Sequence, residues 1–271
     1  MRRAGASAGT LRRGPGRRFH DAGGAAMLAI MAVCFLVGFL GAVTGVGGVL
    51  IPPVLMFAGG METHVAMGTA LASFLPLSLF SAFIYARMGW YRPGKALIFL
   101  LGGIVGGIAG GRLNAYVPGP PLVCLLACII IFAGGAALRP RRQGQGGAFW
   151  LSGRGLFCIG VATGLTAGLT GAGGPVLSIP WMVAVGYTPL FAVGASMFMQ
   201  LGTILSGSWG NACSGFIDWH ILPWIMLMEM AGCLVGLQVA RRISSELAKK
   251  AIGVLCTGLG AFLLVRQILE L

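Results

Sequence analysis

Long apolar stretches separated by short polar connections dominate the chain. Eight such stretches follow one another with very few charged residues inside them, at 25–58, 63–86, 95–115, 120–138, 154–183, 188–212, 219–240 and 247–269. Most of them are close to the length of about 20 residues that a helix needs to cross the hydrocarbon core of a bilayer. The pattern therefore predicts an all-α, polytopic membrane protein with about eight transmembrane helices.

The first and fifth stretches are longer than one crossing requires, and each contains a string of glycines. Thr44-Gly45-Val46-Gly47-Gly48 lies in the first and Thr170-Gly171-Ala172-Gly173-Gly174 in the fifth, and proline follows each string. Glycine is unfavourable inside a helix, and freed backbone groups at membrane depth must find partners. We therefore expect these two helices to be broken and to line something polar. The alternative is close helix packing through small residues.

The two glycine strings are 126 residues apart, and further positions match at the same spacing. The matches include Gly38 with Gly164, Ala66 and Gly68 with Ala192 and Gly194, Gly89 with Gly215, Gly106 and Gly110 with Gly232 and Gly236, and Gly134 with Gly260. A constant register of this kind is typical of an internal repeat. It predicts two four-segment halves, 25–138 and 154–271, joined by a basic linker at 139–153.

Composition excludes a soluble domain and changes the meaning of the charge. The chain is 57% hydrophobic and 9% charged, whereas about a quarter of the residues of a soluble domain are charged. A net charge of +13 would indicate nucleic-acid binding in a soluble protein. Here the basic residues lie in tails and loops, where they set topology and contact anionic lipid. We therefore expect the lipid bilayer, and no nucleic acid, as a partner.

The basic residues also predict topology, with one conflict. Residues 1–24 are arginine-rich and too polar to fold, so we expect a disordered cytoplasmic arm. The basic loops around Arg87 and Arg139 agree with eight crossings and two cytoplasmic termini. Arg241 and Arg242, between the last two stretches, disagree with it. If a glycine-broken stretch is instead a re-entrant hairpin, the second half inverts, the two halves become antiparallel and the conflict disappears.

The glycine strings suit an anion. A helix that restarts after Gly48 or Gly174 presents its N-terminal amides and the positive end of its dipole to the break. Donors on a later helix face could complete the site, because Ser196, Gln200 and Thr203 share that face, although hydroxyls often bond to their own helix instead. The candidate substrate-binding residues are Thr44, Gly45, Gly47, Gly48, Thr170, Gly171, Gly173, Gly174, Pro175, Ser196, Gln200 and Thr203.

Glu229 is the acid that lies deepest within an apolar stretch. A charge at that depth is costly, so Glu229 is a candidate proton-coupling residue; the alternative is a neutral acid hydrogen-bonded to a neighbouring helix. The seven cysteines form no CxxC pair and the histidines are scattered, so we expect no metal site and no cofactor. No nucleotide-binding glycine loop is present, and we expect no enzymatic activity.

Gly171-Ala172-Gly173-Gly174-Pro175 with Pro180, and the first string with Pro52-Pro53, resemble the sulfite exporter TauE/SafE family over about residues 25–270. That family is also described as 4-toluenesulfonate uptake permease-like transporters. The resemblance implies a secondary transporter of sulfite, sulfonates or related organosulfur anions in the plasma (inner) membrane. It leaves open the direction of transport, the coupling ion and homo-oligomer formation. A passive anion channel, a membrane assembly subunit and an enzyme acting through Ser196 or the cysteines are the alternatives.

Overall fold

All regular elements are helical in the part of the chain that the computed structural model describes, which is residues 24–44, 48–91, 93–138, 152–239 and 245–269. The predicted all-α class is thereby confirmed. The expected arm at 1–24 and linker at 139–153 lie almost wholly outside these residues. The helices are α1 (Gly24–Thr44), a 3₁₀ turn (Gly48–Leu50), α2 (Ile51–Phe57), α3 (Thr63–Ser73), α4 (Leu75–Arg87), α5 (Pro93–Leu113), α6 (Gly119–Leu138), α7 (Gly153–Thr170), α8 (Pro175–Ala184), α9 (Pro189–Cys213), α10 (Leu222–Val239) and α11 (Ser245–Leu269).

Four helices in the described residues are long and apolar enough to cross a membrane. They are Thr63–Arg87, Pro93–Leu113, Gly119–Ala136 and Pro189–Cys213. The first combines α3 and α4, which are separated by Phe74 alone, with Pro76 in the first turn of α4. Shorter apolar helices accompany the four spans. The chain is therefore a multi-pass membrane protein, and the count of eight crossings stays a prediction.

Glycines bring α5 against α7 and α9, and these three helices run in the same direction. A Cβ atom built on Gly106 would collide with the Val161 carbonyl oxygen, and one on Gly110 with that of Leu165. Towards α9, Gly103 faces Thr203 and Gly111 faces Gly207 in the same way. Because the residue numbers rise together on both sides, α5, α7 and α9 are parallel. Their backbones approach closely because glycine has no side chain.

Since α7 and α9 are parallel and consecutive, α8 between them must run back. The Ser178 hydroxyl of α8 donates to that of Ser196 on α9 at 2.7 Å. Further along, Met182 and Val183 of α8 share a core with α7 and α9 through Leu156, Ile159, Ala192 and Ala195. The fifth apolar stretch is therefore a helical hairpin that begins and ends at one end of the bundle.

Four of the remaining helices form two further pairs. Gly232 of α10 packs against the Phe35 carbonyl of α1, and Gly236 against that of Phe39, so α1 and α10 are parallel. Helices α6 and α11 are antiparallel, because Gly134 faces Thr257 whereas the later Gly260 faces Ala127. The bundle thus has two distinct ends. We call them the Trp90 end, where α4 ends and α5 begins, and the His64 end, where α3 begins.

Candidate functional site

A cavity of about 250 Å³ lies where the two glycine strings meet. It extends from Gly48 and Gly173 towards Trp90, between α1, α4 and α10. Its lining comprises Gly41, Ala42, Gly48, Phe74, Leu77, Phe80, Ser81, Ile84, Tyr85, Met88, Trp90, Ala172, Gly173, Pro175, Val176, Met197, Gln200, Cys233 and Leu237. Two segments that are 126 residues apart in sequence therefore line the same space.

The second glycine string breaks the chain between α7 and α8. Helix α7 ends at Thr170, and Gly171 caps it in the left-handed conformation (φ 66°) with an N–H bond of 2.8 Å to the Ala167 carbonyl. Gly173 has φ 77°, which is again a conformation that side chains with a Cβ avoid. The string also packs on α3, because a Cβ on Gly171 would collide with the Met67 carbonyl. The prediction of a broken helix is confirmed here.

The restarting helix begins at the cavity. Pro175 occupies the first position of α8, where its missing N–H costs nothing. Gly173 and Val176 line the cavity, and neither amide donates to another residue in the described ranges. The positive end of the α8 dipole lies at the same place. This arrangement can hold an anion by N–H groups without a buried cation.

Gln200 adds a side-chain amide to these backbone donors. Its side chain is only 6% exposed and lines the cavity. Its Nε2 atom lies 3.5 Å from the point where a Cβ on Gly173 would be. No described residue forms a hydrogen bond with the Gln200 amide. An amide that faces a cavity without a protein partner can bond to a ligand or water there, so Gln200 is well placed to bind a ligand.

The structure separates the other predicted polar residues from the cavity. Thr170 donates to the Thr166 carbonyl at 2.7 Å, and Ser196 accepts from Ser178. Thr203 donates to the Gly103 carbonyl of α5 at 3.2 Å. Thr170 therefore bonds within its own helix, whereas Ser196 and Thr203 form bonds between helices. Of the predicted helix face, only Gln200 lines the cavity.

Some of the predicted glycines line the cavity and others do not. Gly48 lines the cavity and packs against the Phe74 ring, whereas Gly174 is the N-cap residue that precedes α8 and faces Met199. Thr44 is the last residue of α1. Its side chain, together with Gly45 and Gly47, lies outside the described residues.

Sequence reasoning missed the aromatic wall of the cavity. Phe74, Phe80, Tyr85 and Trp90 contribute it, and the rings of Tyr85 and Trp90 stack with centroids 4.6 Å apart. The sequence features that indicate a binding site are polar side chains and glycines, and none of these aromatic residues belongs to either group. One signal could have found Phe74, because it precedes Gln200 by the same 126 residues that separate the glycine strings.

Glu229 lies beside the cavity, at a junction of α1, α3 and α10. It is completely buried, and its Oε1 atom accepts a hydrogen bond of 2.7 Å from Ser73. Its Oε2 atom has no partner in the described residues. A charge there would be stabilised by one hydroxyl alone, which favours a protonated carboxyl. Cys233, one helical turn later, lines the cavity.

Comparison with known proteins shows similarity to one protein family and to several of its relatives. The model of the family described as sulfite exporter TauE/SafE matches residues 4–138 and 156–270. The chain is 26% identical to the probable membrane transporter protein YdhB of Bacillus subtilis (strain 168), over 83% of this chain and 95% of that protein. It is 24% identical to a probable membrane transporter protein of Xylella fastidiosa (strain 9a5c), over 86% and 92%. No solved structure matches it.

Proposed function

Because the chain belongs to the sulfite exporter TauE/SafE family of membrane transporters, we propose that it is a secondary transporter of a small sulfur-containing anion. One observation carries the proposal: both glycine strings reach a single cavity whose donors are unpaired amides and the Gln200 side chain. The three oxygens of a sulfonate or sulfite group could accept several of these hydrogen bonds at once. The proposed activity is transport without enzymatic chemistry.

The walls of the cavity favour an anion that carries an apolar body. Phe80, Tyr85 and Trp90 line the space away from the amide donors. A bare sulfite ion would leave these rings in contact with water, whereas an organic sulfonate would cover them. Within the sulfur anions that the resemblance implies, we therefore propose an organic sulfonate as the substrate.

Glu229 is the proposed site of proton coupling. Its unpaired Oε2 atom and its position one turn from Cys233 support a carboxyl that exchanges a proton with the cavity when the substrate moves. The neutral-acid alternative predicts that Glu229→Gln, which keeps an acceptor for Ser73, transports with unchanged dependence on the proton gradient.

We further propose that the two halves are inverted repeats in the plasma membrane. The pair Gly106 and Val161 corresponds, at 126 residues, to the pair Gly232 and Phe35, and both pairs are in contact. Helices α4, α6 and α10 end at the Trp90 end and α5, α7 and α11 begin there, and the sequence around these helix ends carries most lysines and arginines of the helical region. The positive-inside rule then makes the Trp90 end cytoplasmic.

This orientation differs from one expectation that the sequence raised. Helix α1 is parallel to α10 and begins at the His64 end, so residue 24 would lie on the non-cytoplasmic side. The basic arm had instead suggested a cytoplasmic N-terminus. A reporter that is active on one side of the membrane, fused before residue 24 and separately at residue 145, would decide between the two.

The direct test is uptake of radiolabelled benzenesulfonate and sulfite into proteoliposomes. We expect saturable benzenesulfonate flux, sulfite flux at least severalfold weaker, and loss of both in Gly173→Leu. Gly215→Leu is the matched control, because Gly215 has φ 75° and open space around it, so the backbone strain is similar but lies outside the cavity. Equal flux through the Gly173→Leu protein would refute the site. Flux without accumulation under any gradient would favour a passive channel.

A further inference from the structure

The cavity extends towards the Trp90 end of the bundle. Tyr85, Met88 and Trp90 line it near the Trp90 end, beyond the proposed anion site. A transporter must at some stage also expose its site to the other side. The residues that match the cavity wall at a spacing of 126 positions in the sequence show where that second route would pass.

These counterpart residues are packed shut between α5, α7 and α9. Cys233 and Leu237 correspond to Gly107 and Gly111 of α5, and Ser81 corresponds to Gly207 of α9. A Cβ on Gly168 of α7 would lie 2.9 Å from the Gly107 carbonyl oxygen, and one on Gly111 would collide with the Gly207 carbonyl. The space that forms the cavity on one side is therefore absent from the other.

A chain of hydrogen bonds closes the outer end of this packed route. His64 Nδ1 and Asn114 Oδ1 are 3.0 Å apart, and the Asn114 amide donates to Asn211 Oδ1 at 2.7 Å. The Asn211 amide reaches the Gly168 carbonyl of α7 at 3.4 Å and the Gly207 carbonyl at 3.1 Å. These hydrogen bonds thus connect α3, α7, α9 and the end of α5.

In the 126-residue correspondence, the hydrogen-bonded residue Asn211 matches a residue at the mouth of the cavity. Asn211 and Phe216 lie 126 residues after Tyr85 and Trp90, the two stacked residues at the open end. At the closed end the His64 ring stacks on Phe216 with centroids 5.1 Å apart. Asn114 and Asn211 are both completely buried. The same two positions therefore mark the open end of the cavity and the closed end of its counterpart.

We propose that the His64–Asn114–Asn211 chain holds a second gate closed, and that its opening exposes the anion site at the His64 end. The glycine contacts of α5 with α7 and α9 are close but carry few directional bonds. The amides of Asn114 and Asn211 supply such bonds where the route would end, and they must part when α9 separates from α5. This inference rests on the proposed transport function and adds the gate that alternating access requires.

The test measures access to the packed route with a thiol reporter. Ser206→Cys is suitable, since Ser206 faces Gly107 of α5. It is introduced into the full-length protein with the native cysteines replaced, and a membrane-impermeant maleimide is added at the His64 end of the reconstituted protein. The introduced thiol should be labelled slowly while the His64–Asn114–Asn211 hydrogen bonds are intact. Asn114→Leu should raise the rate about tenfold, the effect of losing one or two buried hydrogen bonds. Ser214→Ala, which removes a hydroxyl from the same end of α9, should leave the rate unchanged.

A second reporter separates gate opening from general loosening. A protein that retains Cys233 alone reports access from the Trp90 end, and Asn114→Leu should lower its labelling rate or leave it unchanged. An unchanged Ser206→Cys rate, or a rise of both rates together, would overturn the proposal. If Asn114→Leu does not yield folded protein, His64→Leu removes the outer hydrogen bond and the ring contact with Phe216 but keeps the Asn114–Asn211 bond, and it is measured in the same way. Labelling needs no substrate, so a wrong substrate assignment would not affect this result.

Discussion

The α5–α7–α9 region and the α1–α4–α10 region occupy matching places in the sequence but pack differently. In the first, Gly107 and Gly111 of α5 meet Gly207 of α9, and the helices are in backbone contact. In the second, the matching positions are Cys233, Leu237 and Ser81, and a cavity lies between the helices. Side-chain volume at a few positions therefore distinguishes the closely packed region from the region that contains the cavity.

The largest expected effect comes from placing bulk in the closed region. Gly107→Leu would force a side chain into the Ser206 hydroxyl and to within about 2.9 Å of the Thr203 carbonyl. We expect loss of at least about 3 kcal/mol in stability, since backbone atoms cannot yield as side chains do. The melting temperature in detergent measures this. Gly258→Leu on α11 has open space around it and should leave that temperature almost unchanged.

The matching substitution in the open region should have a different effect. Cys233→Leu adds volume to a wall of the cavity, so we expect a folded protein with an unchanged melting temperature and reduced sulfonate flux. Comparison of Gly107→Leu with Cys233→Leu tests the volume argument at two equivalent positions. Equal destabilisation by the two substitutions would contradict it.

A negative charge beside the amide donors should weaken anion binding strongly without changing the shape of the side chain. Gln200→Glu is isosteric and places a negative group beside Gly173, so we expect sulfonate affinity to fall by about a hundredfold, or about 2.7 kcal/mol. Titration calorimetry with benzenesulfonate measures the loss. Ser196→Ala lies on the same helix but outside the cavity and should bind normally. Unaltered affinity in Gln200→Glu would remove Gln200 from the site.

Glu229 allows a test of coupling that leaves the cavity wall intact. Glu229→Gln keeps an acceptor for the Ser73 hydroxyl, so we expect normal folding and normal downhill flux. The same protein should no longer accumulate sulfonate when an imposed pH gradient is the driving force. Transport assays with and without the gradient give the comparison. Full gradient-driven accumulation would assign Glu229 to packing alone.

The smallest expected effect is on substrate preference. Trp90→Ala removes the ring that stacks on Tyr85, and we expect a threefold to tenfold loss of affinity, which is about 0.7 to 1.4 kcal/mol, for benzenesulfonate. Affinity for sulfite should not change, because sulfite has no body to contact the ring. A parallel loss for both anions would show that Trp90 only supports the mouth of the cavity.

Much of this structure could be predicted from glycine and hydrophobic patterns. The break at Gly171–Gly174 and the place of Gln200 near the string agree with the sequence, because backbone demands restrict the residue types that fit. The hydroxyl partners were not predictable. Ser196 and Thr203 share a helix with Gln200, yet which neighbour each one meets depends on how α5 and α8 pack.

The topology and the aromatic wall of the cavity could not be predicted from the sequence for similar reasons. Charge counting left both a crossing and a hairpin open for the fifth stretch, and only the register of α5 with α7 and α9 shows that α8 returns. Phe80 and Trp90 are ordinary apolar residues in sequence, and they line a cavity where Cys233 and Leu237 of α10 replace the glycines found at the matching positions of α5.

Protection of the native Cys233 thiol by substrate tests the central claim most directly. Cys233 lines the cavity that both glycine strings reach, so bound benzenesulfonate should slow its reaction with a maleimide in a concentration-dependent way. Gln200→Glu should remove this protection while the labelling rate without ligand stays the same. A Cys233 labelling rate that is unaffected at benzenesulfonate concentrations that saturate transport would contradict an anion site between the strings.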